Sequence, residues 1–345
     1  MTQFWLRAET RPNERRTGLM PEGAAALIAA GHRVTVEESA HRVIPDAAFA
    51  DAGTEMARAG SWPGAPKDAV ILGLKELPED GTSLPHTHVT FGHAFKAQEG
   101  AARLLRRFRA GGGTLLDLEY LLDAAGRRRC AFGHWAGYAG AAVGLLAWGA
   151  QRQGAICPPV SGWDDSAALR ADLSAALPEA RPTALVIGAG GRVGGGAAQL
   201  LSEMDAPIIG WDLPETQGRS DFPEVLNFDL LVNAILARPG APVFVPASAA
   251  GAPRRLSVIA DVACDPRSDY SPIKVYGRET TWEAPAIRVH DAPPLDVVAI
   301  DNLPSLLPRE SSEDFAAQLL PVLREWADDP QESWARARAE FRKHC

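Results

Sequence analysis

The chain has 345 residues, of which 46% are hydrophobic and 23% charged, and its 43 acids against 35 bases leave a formal net charge of −8. That length exceeds one ordinary core and suits two domains of roughly 150 residues each. The bases are scattered and form no long run, which excludes a nucleic-acid footprint.

From the N-terminus, MTQFWLRAETRP carries charge early and lacks an apolar run of secretory length, so no signal peptide is expected. Strands are expected at Phe4 to Arg7, Val34 to Glu37, Val70 to Lys75, Val89 to Ala94 and Thr114 to Leu118. Between them lie helical segments such as PEGAAALIAAG and QEGAARLLRRFRAGG, each closed by glycine. This alternation is the signature of parallel α/β structure. FGHWAGYAGAAVGLLAWGAQR, from Phe132 to Arg152, reads as one long helix whose small residues allow close approach to a neighbour. Its apolar stretch from Ala139 to Ala150 is too short to span a membrane. GAICPPVSGWDD then interrupts the pattern with prolines and glycines and is expected to be a hinge or boundary. A second α/β unit opens at Arg181 with TALVIG, with later strands in 207–211, 228–235, 256–262 and 296–301, and the last 35 residues are helical in pattern. Cys130, Cys157, Cys264 and Cys345 have neither CxxC spacing nor histidines at zinc-finger distance, so they read as reduced thiols of a cytoplasmic protein without a metal site.

TALVIGAGGRVGGGAAQLL joins a buried strand, a glycine turn and a helix. Gly188, Gly191 and Gly194 fall at GxxGxxG, whereas GxGxxG would require glycine at Val193. Glycine lets the backbone turn sharply and approach a pyrophosphate, which then meets the free N–H groups of the helix start. Such turns are common after strands, but the next strand ends in Asp212, 24 residues beyond Gly188, where a carboxylate binds adenosine ribose hydroxyls and repels a 2′-phosphate. That favours NAD over NADP. Asp212 is either that carboxylate or an ordinary strand-end acid, and Arg192 either pairs with pyrophosphate or is a solvated helix-start arginine.

Ligands of open α/β sheets bind at the carboxyl ends of buried parallel strands. AVILGLKELP ends its apolar run in Lys75 and Glu76; the next strand brings His93, Lys96 and Gln98, and TLLDLEYL brings Asp117 and Glu119. If these strands pair in sequence order, a lysine, a histidine and several carboxylates share one crevice, the inventory of proton-transfer chemistry. Each taken singly is equally a solvated strand-end charge. RAETRPNERR and GRRRCAFG add arginines, among them Arg16, Arg127 and Arg128, whose forks suit a substrate with several carboxylates.

LRAETRPNERR, AGSW, GLKELPE, FGHAFKAQ, GTLLDLEYL, GRRRCAFG, WAGYAGAA, WDLPET and IDNLPSLLPRE, in that order, resemble the blocks of the NAD-dependent, lysine-forming saccharopine dehydrogenases, relatives of alanine dehydrogenase. The resemblance runs over nearly the whole chain. It implies an α/β fold of two Rossmann-like domains with parallel sheets flanking a central cleft. Residues 1–131 plus about 303–345 would form the substrate-side domain, and about 132–302, beginning with the long helix, the NAD-binding one. It also implies the reversible conversion of saccharopine, NAD and water into lysine, 2-oxoglutarate and NADH, by hydride transfer, imine hydrolysis and acid–base catalysis. By resemblance Lys75 and His93 match the acid–base pair, and Glu76 and Glu119 the acids that tune them. Arg16, Lys96, Gln98, Arg128 and Phe132 match substrate-side positions. Gly188, Gly191, Arg192, Asp212, Thr216 and Asp301 match the cofactor side, with Arg127 there too. No oligomeric state is implied.

Three departures from the family pattern stand out. Asn302 replaces a histidine after the aspartate, Val193 and Ala234 stand where fungal members carry cysteines, and Arg11 replaces a lysine. Two other readings compete: an NAD-linked dehydrogenase of another amino acid or opine-type secondary amine, and a non-catalytic NAD-binding sensor. Retention of Lys75, His93, Glu119 and Arg128 argues against the sensor.

Overall fold

The computed structural model describes residues 1–95, 100–236 and 238–345. The chain divides into two compact units, Met1–Ala131 with Pro308–Cys345, and Phe132–Leu307.

The first unit opens with β1 (Gln3–Leu6), α1 (Pro21–Ala29), β2 (Arg33–Glu37), α2 (Asp46–Asp51) and β3 (Glu55–Ala57). It continues through β4 (Val70–Leu72), β5 (Thr87–Thr90), α3 (Ala101–Gly111) and β6 (Thr114–Asp117). Pro21 starts α1, where its missing N–H costs nothing. The six strands are parallel in the order β3-β2-β1-β4-β5-β6, the doubly wound order that reverses direction between β1 and β4. β4, β5 and β6 therefore pair in sequence order, as the gathering of their strand ends requires. Their ladders are shorter than expected. The strand read as Val70 to Lys75 stops at Leu72, and the one read as Val89 to Ala94 runs from Thr87 to Thr90, because the chain leaves the sheet once its ends reach the polar groups beyond.

The second unit begins with α4 (Gly133–Arg152) and α5 (Ser166–Ala176), followed by β7 (Ala184–Ile187), α6 (Arg192–Glu203), β8 (Ile208–Trp211), α7 (Leu213–Thr216) and β9 (Leu230–Asn233). β10 (Val258–Asp261), β11 (Ile287–Asp291) and β12 (Pro294–Val298) complete its sheet, ordered β11-β12-β10-β9-β7-β8 and parallel except for the antiparallel edge strand β11. Both faces are covered. Ala184 and Val186 pack toward α4 and α6, while Leu185 and Ile187 enter a second core with Phe222, Val225 and Phe244. Near-continuous apolar strands follow from that double burial. α4 lies directly on α6: a Cβ on Gly137 would fall 1.7 Å from the Val193 carbonyl oxygen, and one on Gly196 1.9 Å from that of His134. The proline-rich segment 154–165, read as a hinge or boundary, lies inside this unit, held by backbone bonds from Val160 to Trp282 (2.8 Å) and from Trp163 to Leu306 (2.8 Å).

α8 (Pro308–Arg324) and α9 (Ser333–His344) return the chain to the first unit. Ser312 accepts the Thr17 N–H at 2.9 Å, Phe315 packs against Phe91, and α9 lies along edge strand β6 with Phe341 against Phe108.

Candidate active site

In the first unit, three loops leave the carboxyl ends of β4, β5 and β6 side by side. Lys75 follows β4, and its peptide is pinned from both directions. Glu9 accepts the N–H groups of Leu74 (2.7 Å) and Lys75 (3.0 Å), while the Lys75 carbonyl accepts from Arg7 and from the Thr90 hydroxyl (3.2 Å). The Lys75 side chain is half-buried and lies close enough to Glu14 for each to feel the other's charge. Glu14 is buried; burial alone would raise its pKa, but the Arg16 guanidinium, in two bonds of 2.8 and 2.7 Å, together with Lys75 brings it down to about 2. Glu76, its neighbour in sequence, turns to solvent and pairs with Arg11 at 2.5 Å.

His93 follows β5 with φ at 48°, a left-handed conformation uncommon for residues other than glycine and over-represented at functional sites. Its ring stacks on Phe91, and its Nδ1 lies 3.9 Å from the Glu119 carboxylate. Arg128 reaches the same Glu119 oxygen at 3.3 Å. Glu119 is held by its own N–H, donated to Asp117 Oδ1 at 2.9 Å. Asp117, at the end of β6, is fully buried. Burial pushes its pKa up, the Glu119 charge adds to the rise, and the Glu119 N–H and His93 oppose it.

The structure thus brings together Lys75, His93, Glu119 and Arg128, with Glu76 at their margin. Arg16 is 4% exposed and engaged with Glu14, so it offers a ligand little surface. Arg127 is exposed and pairs with Asp123 at 3.0 Å within this first unit. Lys96 and Gln98 lie outside the described residues. Glu9 and Glu14 were missed as site residues; the signal available was their interleaving with arginine in RAETRPNERR, which marks ion pairs without saying where they point.

In the second unit, Gly188 ends β7 at φ 86°, and a Cβ on Gly194 would fall 2.0 Å from the Gly188 carbonyl oxygen, so α6 starts hard against the turn. Gly191 is the N-cap of α6 without a side-chain cap, and Arg192 is the exposed first residue of the helix. Asp212, beyond β8, accepts the Gly190 N–H at 2.7 Å and forms a capping box with Glu215. Thr216 is buried and donates its hydroxyl to the Asp212 carbonyl at 2.9 Å. These groups set a helix start without a side-chain cap beside a carboxylate, at a turn where only glycine lets the helix pack so closely, and that chemistry suits the pyrophosphate and ribose of NAD. Asp301 is exposed beyond β12, near Cys264, whose thiol is pushed up to about 12 by burial, with Asp261 and Asp301 adding. Phe132 is the N-cap of α4.

The family model "Alanine dehydrogenase/PNT, N-terminal domain" matches residues 5–139. The chain is 44% identical to "Saccharopine dehydrogenase [NAD(+), L-lysine-forming]" of Emericella nidulans, over 94% of this chain and 92% of that protein. It is 42% identical to the protein of the same description from Yarrowia lipolytica, over 98% and 96%. Among solved structures it is similar in fold to an L-alanine dehydrogenase, with a TM-score of 0.67 at 20% identity, covering 99% of this chain and 94% of that one.

Proposed function

This chain belongs to the family of NAD-dependent, L-lysine-forming saccharopine dehydrogenases, and from that premise we propose that Lys75 and His93 move the protons of its reaction while the glycine turn of the second unit holds NAD. The reaction is the NAD-dependent oxidative cleavage of saccharopine at its secondary amine, giving L-lysine and 2-oxoglutarate. The observation that carries this reading is the similarity over more than nine-tenths of both chains, with 92% and 96% of the two relatives covered.

When bound, NAD accepts a hydride from the carbon that bears the secondary amine. What remains is proton traffic as water adds to the carbon–nitrogen double bond and lysine departs. Glu14, ionised and within electrostatic reach of Lys75, stands beside the lysine that we assign as the proton donor. His93 takes the complementary role. The Glu119 carboxylate lies 3.9 Å from its imidazole, and Arg128 on the same carboxylate oxygen offsets that negative charge. Arg128 is also the exposed cation for a substrate carboxylate, and Lys96, Gln98 and Phe132 are assigned to substrate binding as well. Arg16 acts through Glu14. Gly188, Gly191, Arg192, Asp212 and Thr216 would hold the pyrophosphate and ribose, with Asp301 and Arg127 on the cofactor side. Four scattered cysteines without CxxC spacing fit a reducing compartment, and we place the reaction in the cytoplasm.

The test is NADH absorbance on mixing protein, NAD and saccharopine, with the reverse assay from lysine, 2-oxoglutarate and NADH. Alanine and simpler secondary amines serve as comparison substrates. Oxidation of one of these in place of saccharopine would overturn the assignment. His93→Gln should bind NADH normally and fail to turn over; unchanged turnover would remove His93 from the mechanism.

A further inference from the structure

The first unit contains a cavity of about 150 Å³ that extends the acid–base cluster in a direction the arginines at 16 and 128 do not line. Lys75 and His93 are part of its wall, Leu104, Phe108 and Leu115 make it apolar, and Glu79 and Arg103 add one charge of each sign at the start of α3. These two side chains pair at 2.7 Å, and the Glu79 carboxylate lies 3.5 Å from where a Cβ on Gly100 would sit, just before the first helical residue.

We propose that this cavity receives the lysine arm of saccharopine, with Arg103 binding the carboxylate at its far end and Glu79 the ammonium. The proposal rests on the saccharopine reading above. The secondary amine of that substrate joins two chemically different arms. One carries two carboxylates and includes the reacting carbon. The other is a run of four methylenes ending in an ammonium and a carboxylate on a single carbon. Apolar walls suit methylenes. A zwitterion needs one partner of each sign, and Glu79 would repel an arm that carried carboxylates alone.

The site is held in place by the rest of α3. Arg107, one turn beyond Arg103, is buried and clamps the loop on both sides of Glu79, donating to the Pro78 carbonyl (2.7 Å) and the Thr82 carbonyl (2.7 Å) and pairing with Asp80 (2.9 Å). The loop is thus fixed before any ligand arrives, as a specificity site requires. The Glu79–Arg103 pair has side chains 63% and 53% exposed, and such a pair contributes little to stability. Its partners are therefore easily exchanged for those of a ligand.

The experiment measures reverse-direction kinetics of wild type, Glu79→Gln and Arg103→Gln, varying lysine and 2-oxoglutarate separately. 6-Aminohexanoate, which lacks the α-ammonium, and pentane-1,5-diamine, which lacks the carboxylate, serve as alternative amines. Losing one charge-assisted bond should raise the KM for lysine about tenfold while leaving the KM for 2-oxoglutarate and NADH binding within about twofold. Glu79→Gln should erase the preference for lysine over 6-aminohexanoate, and Arg103→Gln its preference over the diamine. A lysine KM unchanged in both variants, or equal rises for both substrates, overturns the proposal. Wild-type protein that fails to join lysine and 2-oxoglutarate brings down the saccharopine reading itself, and this inference with it.

Discussion

His88 ties the stability of the first unit to acid pH. It sits in β5 and is 1% exposed, with the Trp62 and Phe108 rings edge-on at 5.1 and 5.4 Å, and among the described residues its Nε2 has no hydrogen-bond partner. Burial lowers its pKa to about 3, assisted by the positive charges of Arg7, His86 and Arg107. An unfolded histidine titrates near 6.5. Above that pH both states are neutral and His88 contributes no pH dependence. Below it the unfolded chain gains a proton that the folded one refuses, so stability falls as pH drops from about 6.5 toward 3. Over the two units from 6.5 to 4.5 the loss is about 3 kcal/mol, a large part of a domain's total stability. His88→Leu keeps a similar volume and removes the proton site. Urea unfolding of both proteins at pH 7 and pH 4.5, followed by tryptophan fluorescence, compares the losses, and other titrating groups cancel in the difference. The variant should lose about 3 kcal/mol less than wild type. Equal losses in the two proteins would show that His88 is not the group behind the acid sensitivity.

Gly194→Ala forces a Cβ to within 2.0 Å of the Gly188 carbonyl and should abolish NADH binding measured by fluorescence, without affecting the first unit's unfolding. Asp212→Ala removes the acceptor of the Gly190 N–H and the carboxylate beside the cradle; NAD affinity should fall about tenfold and the preference for NAD over NADP should shrink, read as the ratio of the two Kd values. Asp117→Asn keeps an acceptor for the Glu119 N–H while removing a buried charge. Because burial raises the Asp117 pKa, the wild-type fold is penalised at neutral pH and relieved as the carboxyl protonates. The variant should therefore be the more stable protein at pH 7, with the gain shrinking toward pH 4 in urea midpoints.

Much of this was readable in the chain. The apolar run from Ala69 to Leu74 had to be a strand buried on both faces, and the charges that end it had to lie at its carboxyl end, where β4 delivers Lys75. β3 and β11 escaped notice for opposite reasons. β3 is only three residues long, and β11 is a half-exposed edge strand whose pairing register shifts between Arg288 and His290. The proline-rich segment after α4 reads as a hinge or boundary because its composition signals only the absence of helix; which partners satisfy its N–H groups is a tertiary matter.

By itself, the sequence determined what depends on neighbours along the chain: the glycine turn before α6, the carboxylate that follows β8, the parallel α/β class, and which strand ends carry titratable groups. Tertiary structure alone decided the partners of those groups. Glu9 grips the amides of residues 65 and 66 positions away, and Glu14 is held by Arg16, within electrostatic reach of Lys75, rather than left to solvent. The position of α6 depends on α4, a helix that precedes it by an entire α-helix and strand. Local conformation follows from short-range sterics and capping, which a few residues encode. Which charges meet depends on strand order and on depth of burial, and these emerge only when the whole sheet closes over its core.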